Sequence, residues 1–385
     1  MSVAFQVVFA VLALCGIGFY VISLWSARSF LRARRSALGF APPVSILKPV
    51  RGIDPDQRQA FRSHCLQDYS GDYELIFGVA DASDPVVANV ELLRQEFPER
   101  RIELVVCPEI LGANRKVSSL IQMLPRARFE HVLINDSDIR VEPDYLARVL
   151  RHFAPAAEGA AQTGMITALY RPIPGRTLGS RLEALGISTE FMAGVLTARQ
   201  IEGGVHFALG STLACTRSAL AAIGGLETLV DYLADDFELG ARISAAGYRV
   251  EIADTVVENH IPDYSMRDFF DHQLRWGRST RSSRPWGYAG LALTFGVVWA
   301  AFAALASAGA WWSWLLLAAA AALRVTVALV VGLLVLHDRY VLRDLPLLPL
   351  RELIAVVIWV ASYAGSRVHW RGEDFVLDKG KIRLA

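Results

Sequence analysis

The chain has 385 residues, 53% of them hydrophobic and 20% charged, with a formal net charge of +1 and a mean hydropathy of +0.34. The apolar excess over an ordinary soluble domain excludes intrinsic disorder. The near-zero net charge excludes a dedicated nucleic-acid binder, so no nucleic-acid partner is expected.

Residues 1–27 carry no charged side chain, and Arg28, Arg32, Arg34 and Arg35 follow at once. About 20 apolar residues cross a bilayer as a helix, and the positive-inside rule then places residue 28 onward in the cytoplasm. A cleaved signal peptide would carry its basic residues ahead of the apolar run, not behind it.

An α/β domain is expected over residues 42–284. Short apolar strands are predicted at 44–47, 74–79, 102–106 and 131–134, with helices at 57–67, 86–96 and 115–123 between them. Such alternation predicts a mostly parallel sheet covered on both faces, with ligands outside the carboxyl ends of the strands. Three strands end in a polar residue there: Lys48, Asp81 and Asp136. No Gly-x-Gly-x-x-Gly or Walker A sequence is present, which disfavours a dinucleotide fold or P-loop. The four cysteines, Cys15, Cys65, Cys107 and Cys215, form no Cys-x-x-Cys pair and read as reduced thiols.

Five segments carry candidate chemistry. Asp136-Ser137-Asp138 follows the fourth strand; residues two apart in an extended segment point the same way, so both carboxylates can face one hard divalent cation shared with substrate phosphates. The same pair also suits a turn. Asp81 could accept hydrogen bonds from a uracil or ribose, whereas Asp84, before Pro85, has the position of a helix cap. Adjacent Asp235 and Asp236 precede a helical run; they either cap it or raise one another's pKa, producing a general base. In His272-Gln-Leu-Arg275-Trp276, Arg275 can grip a diphosphate in bidentate fashion, while Arg281 and Arg284 suit a membrane flank. Lys116, opening a helix after Gly112-Ala-Asn114-Arg115, could contact phosphate or a sugar. A mildly amphipathic stretch at 182–201 is either a core-facing helix or one lying at the bilayer face, where it would guide a lipid.

Residues 285–323 hold no charge, and 325–336 are apolar again after Arg324. This predicts a helical hairpin, with spans near 289–308 and 311–336, a turn at Gly309-Ala310, and Trp311, Trp312 and Trp314 at the far interface. Arg324 would lie mid-span and face another helix or a polar cavity. The run 353–366 is short, with Pro346, Pro349, Arg351 and Glu352 upstream, and reads as an interfacial or re-entrant helix. The tail 367–385 keeps Arg367, Arg371, Lys379, Lys381 and Arg383, so it is expected in the cytoplasm, with an even number of crossings over 285–366. Arginine far outnumbers lysine, which is confined to Lys48, Lys116, Lys379 and Lys381; such usage suggests a GC-rich bacterium and hence its inner membrane.

Taken in order, Asp81 (or Asp84), Asp136-Ser-Asp138, Asp236 and His272-Gln-Leu-Arg275-Trp276 resemble the ceramide glucosyltransferase family of membrane-bound GT-A glycosyltransferases, as do Val44-Ser-Ile-Leu-Lys48-Pro-Val-Arg-Gly52 and Gln67-Asp-Tyr69. His272 stands where that family has Gln or Arg. The resemblance implies inverting, metal-dependent transfer from a UDP-sugar to a hydroxyl of a membrane lipid. Asp81 would hold uridine, and Asp136 the ribose or, through water, a Mn2+ or Mg2+ ligated by Asp138. Asp236 would be the base; Arg275, with the metal, would stabilise the departing diphosphate, and Trp276 beside it would complete the catalytic residues. Lys48, Asp84, Lys116, Asp235 and His272 would complete the substrate site. Ceramide with UDP-glucose is the first expected pair. The similar hopanoid-biosynthesis branch implies N-acetylglucosamine and bacteriohopanetetrol instead, and a processive polysaccharide synthase is the rival class.

Overall fold

The computed structural model describes residues 3–33, 39–54, 56–370 and 372–384. Arg34, Arg35 and Arg371, which contribute to the positive-inside count, lie outside the described residues.

Among the described residues, eight strands form one sheet: β1 (Val44–Pro49), β2 (Tyr73–Val79), β3 (Arg101–Val106), β4 (His131–Ile134), β5 (Ile139–Arg140), β6 (Thr163–Ile173), β7 (Leu213–Thr216) and β8 (Arg249–His260), in the order β3-β2-β1-β4-β7-β6-β8-β5. The four predicted strands are all present. They make the parallel half, β3-β2-β1-β4, joined by helices Gln57–Cys65, Val86–Glu96 and Arg115–Met123. β1 and β2 are buried along nearly their whole length, which is why they read as unbroken apolar runs rather than alternating ones. β7 then pairs antiparallel to β4 and to β6, and β8 returns parallel to β6. The carboxyl ends of β1, β2 and β4 open on one edge, where Lys48, Asp81 and Asp136 sit.

Residues 178–201 form one nearly continuous helix, Leu178–Gly186 and Met192–Ile201 joined by a π-helical turn at Ile187–Phe191. Extra backbone turns of this kind recur at functional sites. This helix is bonded to the apolar helices and the link between two of them: Arg181 to Asp344 at 2.6 Å, Ser188 to Asp338 in the link at 2.6 Å, and Thr197 to Ser23 at 2.9 Å.

Among the described residues, three helices are long and apolar enough to cross a membrane: Val3–Arg32, Trp311–Val335 and Tyr340–Ser362. Pro285–Thr294 and Gly296–Ala306 form a fourth, bent by 52°. Helices thus occupy both arms of the predicted hairpin, the first of them broken at Phe295. Its packing on the N-terminal helix depends on two glycines: a Cβ on Gly16 would lie 2.3 Å from the Gly296 Cα, so the backbones touch where any side chain would push them apart. Arg324 meets Glu352 at 2.7 Å and the Thr189 carbonyl at 3.1 Å, all in the interior. The last apolar helix starts earlier than its sequence suggests. Pro346 and Pro349 fall in first turns, where a missing N–H costs nothing, and Arg351 and Glu352 are buried and paired instead of marking an exposed boundary.

The tail is folded. β9 (Arg367–Trp370), β10 (Glu373–Asp378) and β11 (Lys381–Leu384) form an antiparallel sheet in the order β11-β10-β9.

Candidate functional site

The acids gather beyond the ends of β1 and β4, around the loop 209–212. Lys48 is fully buried, and its Nζ donates to the Asp136 carbonyl at 3.0 Å; burial draws its pKa down to about 7. The side chain thus supports the Asp136 backbone from within the core. Lys116 projects from the helix Arg115–Met123, whose start Asn114 caps by accepting from Val117 N at 3.2 Å. Its ammonium lies 2.9 Å from Asp136 Oδ1 and 3.4 Å from Asp235 Oδ2. Burial alone would lower its pKa, but the Asp136 and Asp235 carboxylates more than offset it, so Lys116 is held as a cation.

Asp236 opens the helix Asp235–Ala245 and accepts from Phe237 N at 2.8 Å. Its carboxyl is pushed up to about 6 by burial and then by the neighbouring Asp235. A Cβ on Gly210 would lie 3.1 Å from Asp236 Oδ2 and 3.6 Å from Asp136 Oδ2; Asp136 and Asp236 therefore face the same small space, and only a glycine leaves it open. Gly210→Ala is expected to lower turnover, with the melting temperature of the purified protein little changed. Wild-type kinetics in that variant would mean the space is not used.

Asp138 is half-buried and accepts from Asn259 Nδ2 at 2.7 Å. Burial, then Asp136 and Asp54, push its carboxyl up to about 7. A partly desolvated carboxyl beside a second one, with hard oxygen donors, is the environment a divalent cation relieves. No group of three His, Cys, Asp or Glu side chains converges on one point among the described residues. The two carboxylates would hold a cation only together with oxygen atoms supplied by phosphate or water.

The remaining predicted residues are placed as follows. Asp81 is exposed at the end of β2 and accepts from Ser83 N at 2.8 Å; that bond holds its pKa below the usual range. Asp84 accepts from Gly52 N at 2.9 Å and Val86 N at 2.9 Å, tying the loop after β1 to the helix Val86–Glu96; its observed contacts are those of a cap. Asp235 is occupied by Lys116 and by Asn114 Nδ2 at 3.3 Å.

On the helix Met266–Ser283, His272 Nδ1 lies 3.0 Å from Glu183, which is fully buried. Gln273 Nε2 donates to the same carboxylate at 2.8 Å. Burial would raise the Glu183 pKa, but His272, then Arg351 and Gln273, outweigh it and hold the carboxylate ionised. Trp276 packs on His272 and Phe191, with ring centroids 5.1 and 5.5 Å away. Arg275 is half-buried on the same helix. Tyr170 and Tyr264 stand between these aromatics and the acids, and burial raises both their pKa values.

Sequence reasoning missed Gly210, Asp54, Asn259 and Glu183. Of these only Gly210, a glycine just ahead of the β7 strand, leaves a trace in the sequence.

The model of glycosyl transferase family 21 matches residues 8–383. Ceramide glucosyltransferase 1 of Caenorhabditis elegans is 24% identical over 235 residues, 61% of this chain and 49% of that protein. The beta-monoglucosyldiacylglycerol synthase of Synechocystis is 27% identical over 212 residues, 55% of this chain and 42% of that protein. The chain thus spans about half the length of the curated relatives it matches. The solved mannosyltransferase PcManGT of Pyrobaculum calidifontis, in complex with GDP-Man and Mn2+, superposes with a TM-score of 0.56 at 18% identity, covering 94% of this chain and 98% of that one; this likeness bears out the GT-A fold. With the family model running from the N-terminal helix to the last strand, the resemblance read from the acidic motifs holds, and the chain belongs to glycosyl transferase family 21.

Proposed function

We propose that the protein transfers a hexose from a UDP-sugar to a hydroxyl of a membrane lipid, with inversion at the anomeric carbon. The observation that carries the reading is the convergence of Asp136 and Asp236 on the space kept open by Gly210, with Lys116 bridging Asp136 and Asp235 behind it. Asp236, ionised above about pH 6, takes the proton of the attacking lipid hydroxyl. Asp81 receives the uracil, and Asp136 the ribose. Arg275 neutralises the departing diphosphate, which a fixed cation stabilises without reorganisation. Trp276 and His272, braced by Glu183, wall the acceptor side. Lys48 and Lys116 hold Asp136 in place, and Asp84 fixes the loop after β1. Asp138, with Asp136, would hold Mn2+ or Mg2+, which supplies Lewis acidity at the diphosphate when bound.

We also infer that the N-terminal helix and the hairpin cross the membrane and that the α/β domain lies on the cytoplasmic side, in a bacterial inner membrane. Arg284 pairs with Glu202, and Gly380 N donates to Ser282 at 2.7 Å. Both ends of the membrane region thus contact the same domain, which supports an even number of crossings. Tyr340–Ser362, although long and apolar enough to cross, would then lie along the interface, whereas Leu182, Leu185, Ile187, Met192, Val195 and Leu196 of the helix over 178–201 are buried in the protein, the core-facing alternative rather than a face turned to lipid.

The test is incubation of the purified protein with UDP-glucose or UDP-N-acetylglucosamine, against ceramide, diacylglycerol or bacteriohopanetetrol, with mass spectrometry of the lipid. One added hexose is expected, lost on chelation of divalent cations and regained with Mn2+ or Mg2+. A polymer product would support the processive-synthase reading instead. Transfer undiminished by chelation would remove the metal.

A further inference from the structure

The tail sheet is too small to stand alone: strands of four to six residues, with a buried face of Val368, Phe375, Leu377 and Ile382. An isolated sheet of this size is marginal in water. The buried residue that completes its apolar cluster comes from far away in the chain; it is Leu233, three residues before Asp236.

The contact extends to the backbone. Ile382 N donates to the Asp231 carbonyl at 2.7 Å, and Leu233 N donates to the Gly380 carbonyl at 3.2 Å. Tyr232 bridges antiparallel to Lys381, whose ammonium lies 5.4 Å from the Tyr232 ring centre. Residues 231–233 therefore lie along the free edge of β11, joined to it by one antiparallel bridge and two backbone hydrogen bonds. The same short segment anchors the lysine helix. Asp231 accepts from Ala113 N at 3.1 Å, and the Tyr232 carbonyl accepts from Asn114 Nδ2 at 2.8 Å. Two further ties reach the other walls of the site: Arg115 meets Glu373 at 3.0 Å, and Ser282, on the helix that carries Arg275 and Trp276, accepts from Gly380 N. Three segments remote in sequence, carrying Lys116, Asp235-Asp236 and Arg275-Trp276, thus meet on one small sheet.

We propose that the C-terminal sheet is a positioning element for the transfer reaction, with Phe375, Leu233 and the Ile382–Asp231 hydrogen bond as its positioning contacts. It touches no reacting atom. By pairing with residues 231–233 it fixes the loop that delivers Asp236 and, through Asn114, the start of the helix that delivers Lys116. Reactions of this kind lose about 10²-fold when a group moves by as little as 1 Å. The inference rests on the proposed sugar transfer for its kinetic readout, but not for its structural one.

The experiment uses the full-length protein in detergent or nanodiscs, with two variants and a conservative control. Phe375→Ala empties the apolar cluster. Ile382→Pro removes the N–H that reaches Asp231 while keeping an apolar side chain. Phe375→Leu keeps most of the packing. Hydrogen exchange of the amides of residues 231–238 is expected to speed up in the first two, with β1, β2 and β4 unchanged. kcat is expected to fall about 10²-fold with the donor KM little changed, and Phe375→Leu is expected to stay near wild type. Unchanged exchange at 231–238 in both variants overturns the proposal, as does faster exchange there with wild-type kcat. If the wild type itself transfers no sugar to any lipid hydroxyl, the proposed function fails, and the exchange data still decide whether the sheet holds the loop.

Discussion

Asp236→Asn is expected to cut turnover by about 10²–10⁴-fold, the usual loss when a general base, the role proposed for Asp236, is removed, with little change in stability. The isostere keeps an acceptor for Phe237 N but cannot take a proton from the incoming hydroxyl. The wild type supplies a second signature. Burial and Asp235 raise the Asp236 pKa to about 6, and the base works only when ionised. The profile of kcat/KM, which reports the free enzyme, is therefore expected to fall as pH drops below about 6. In Asp236→Asn the residual rate is expected to lose that limb. A variant that turns over at near-normal rates would take Asp236 out of the chemistry. A limb that persists unchanged would assign it to another group.

The second large effect concerns stability. Arg324 and Glu352 are both buried among apolar helices, and Arg324 also donates to the Thr189 carbonyl and hydroxyl. Removing one member of such a pair strands the other charge and costs about 3–5 kcal/mol, whereas replacing both is often close to neutral. Arg324→Met alone is therefore expected to lower the melting temperature sharply in detergent, and Arg324→Met combined with Glu352→Leu to recover much of the loss. Additive losses in the double variant would mean that the two groups are not coupled. The pair also joins the hairpin to the helix over 178–201, so its loss is expected to loosen the aromatic wall around Phe191 before the sheet itself.

Much of this architecture is legible in the chain. β1, β2 and β4 announce themselves as apolar runs because both of their faces are covered. The acids at their ends stand out because a strand terminus has no packing reason to hold Asp136 and Asp138 together. The membrane segments follow from the absence of charge. What stayed hidden depends on distant partners. The tail reads as charged and featureless because its apolar residues alternate over only a few positions and its buried partner, Leu233, lies well over a hundred residues upstream. β6, β7 and β8 pair across long separations, which no local pattern reports. Asp84 can be read equally as ligand or cap, and its two backbone donors, Gly52 and Val86, decide for the cap only once the loop after β1 is folded. Glu183 resembles any helical glutamate until His272 and Gln273 are brought against it.

The pairing of residues 231–233 with residues 380–382 also sets an order of events in biosynthesis. Domains emerging from the ribosome fold from the N-terminus onward, and the α/β sheet is complete at β8. The strand that seats the Asp236 loop is made only after the whole of 285–362, and so after the hairpin has been offered to the bilayer. A nascent chain stalled anywhere in the membrane region would carry a folded sheet with an unseated loop. The pairing at residues 231–233 is thus completed only after residues 285–362 have been made.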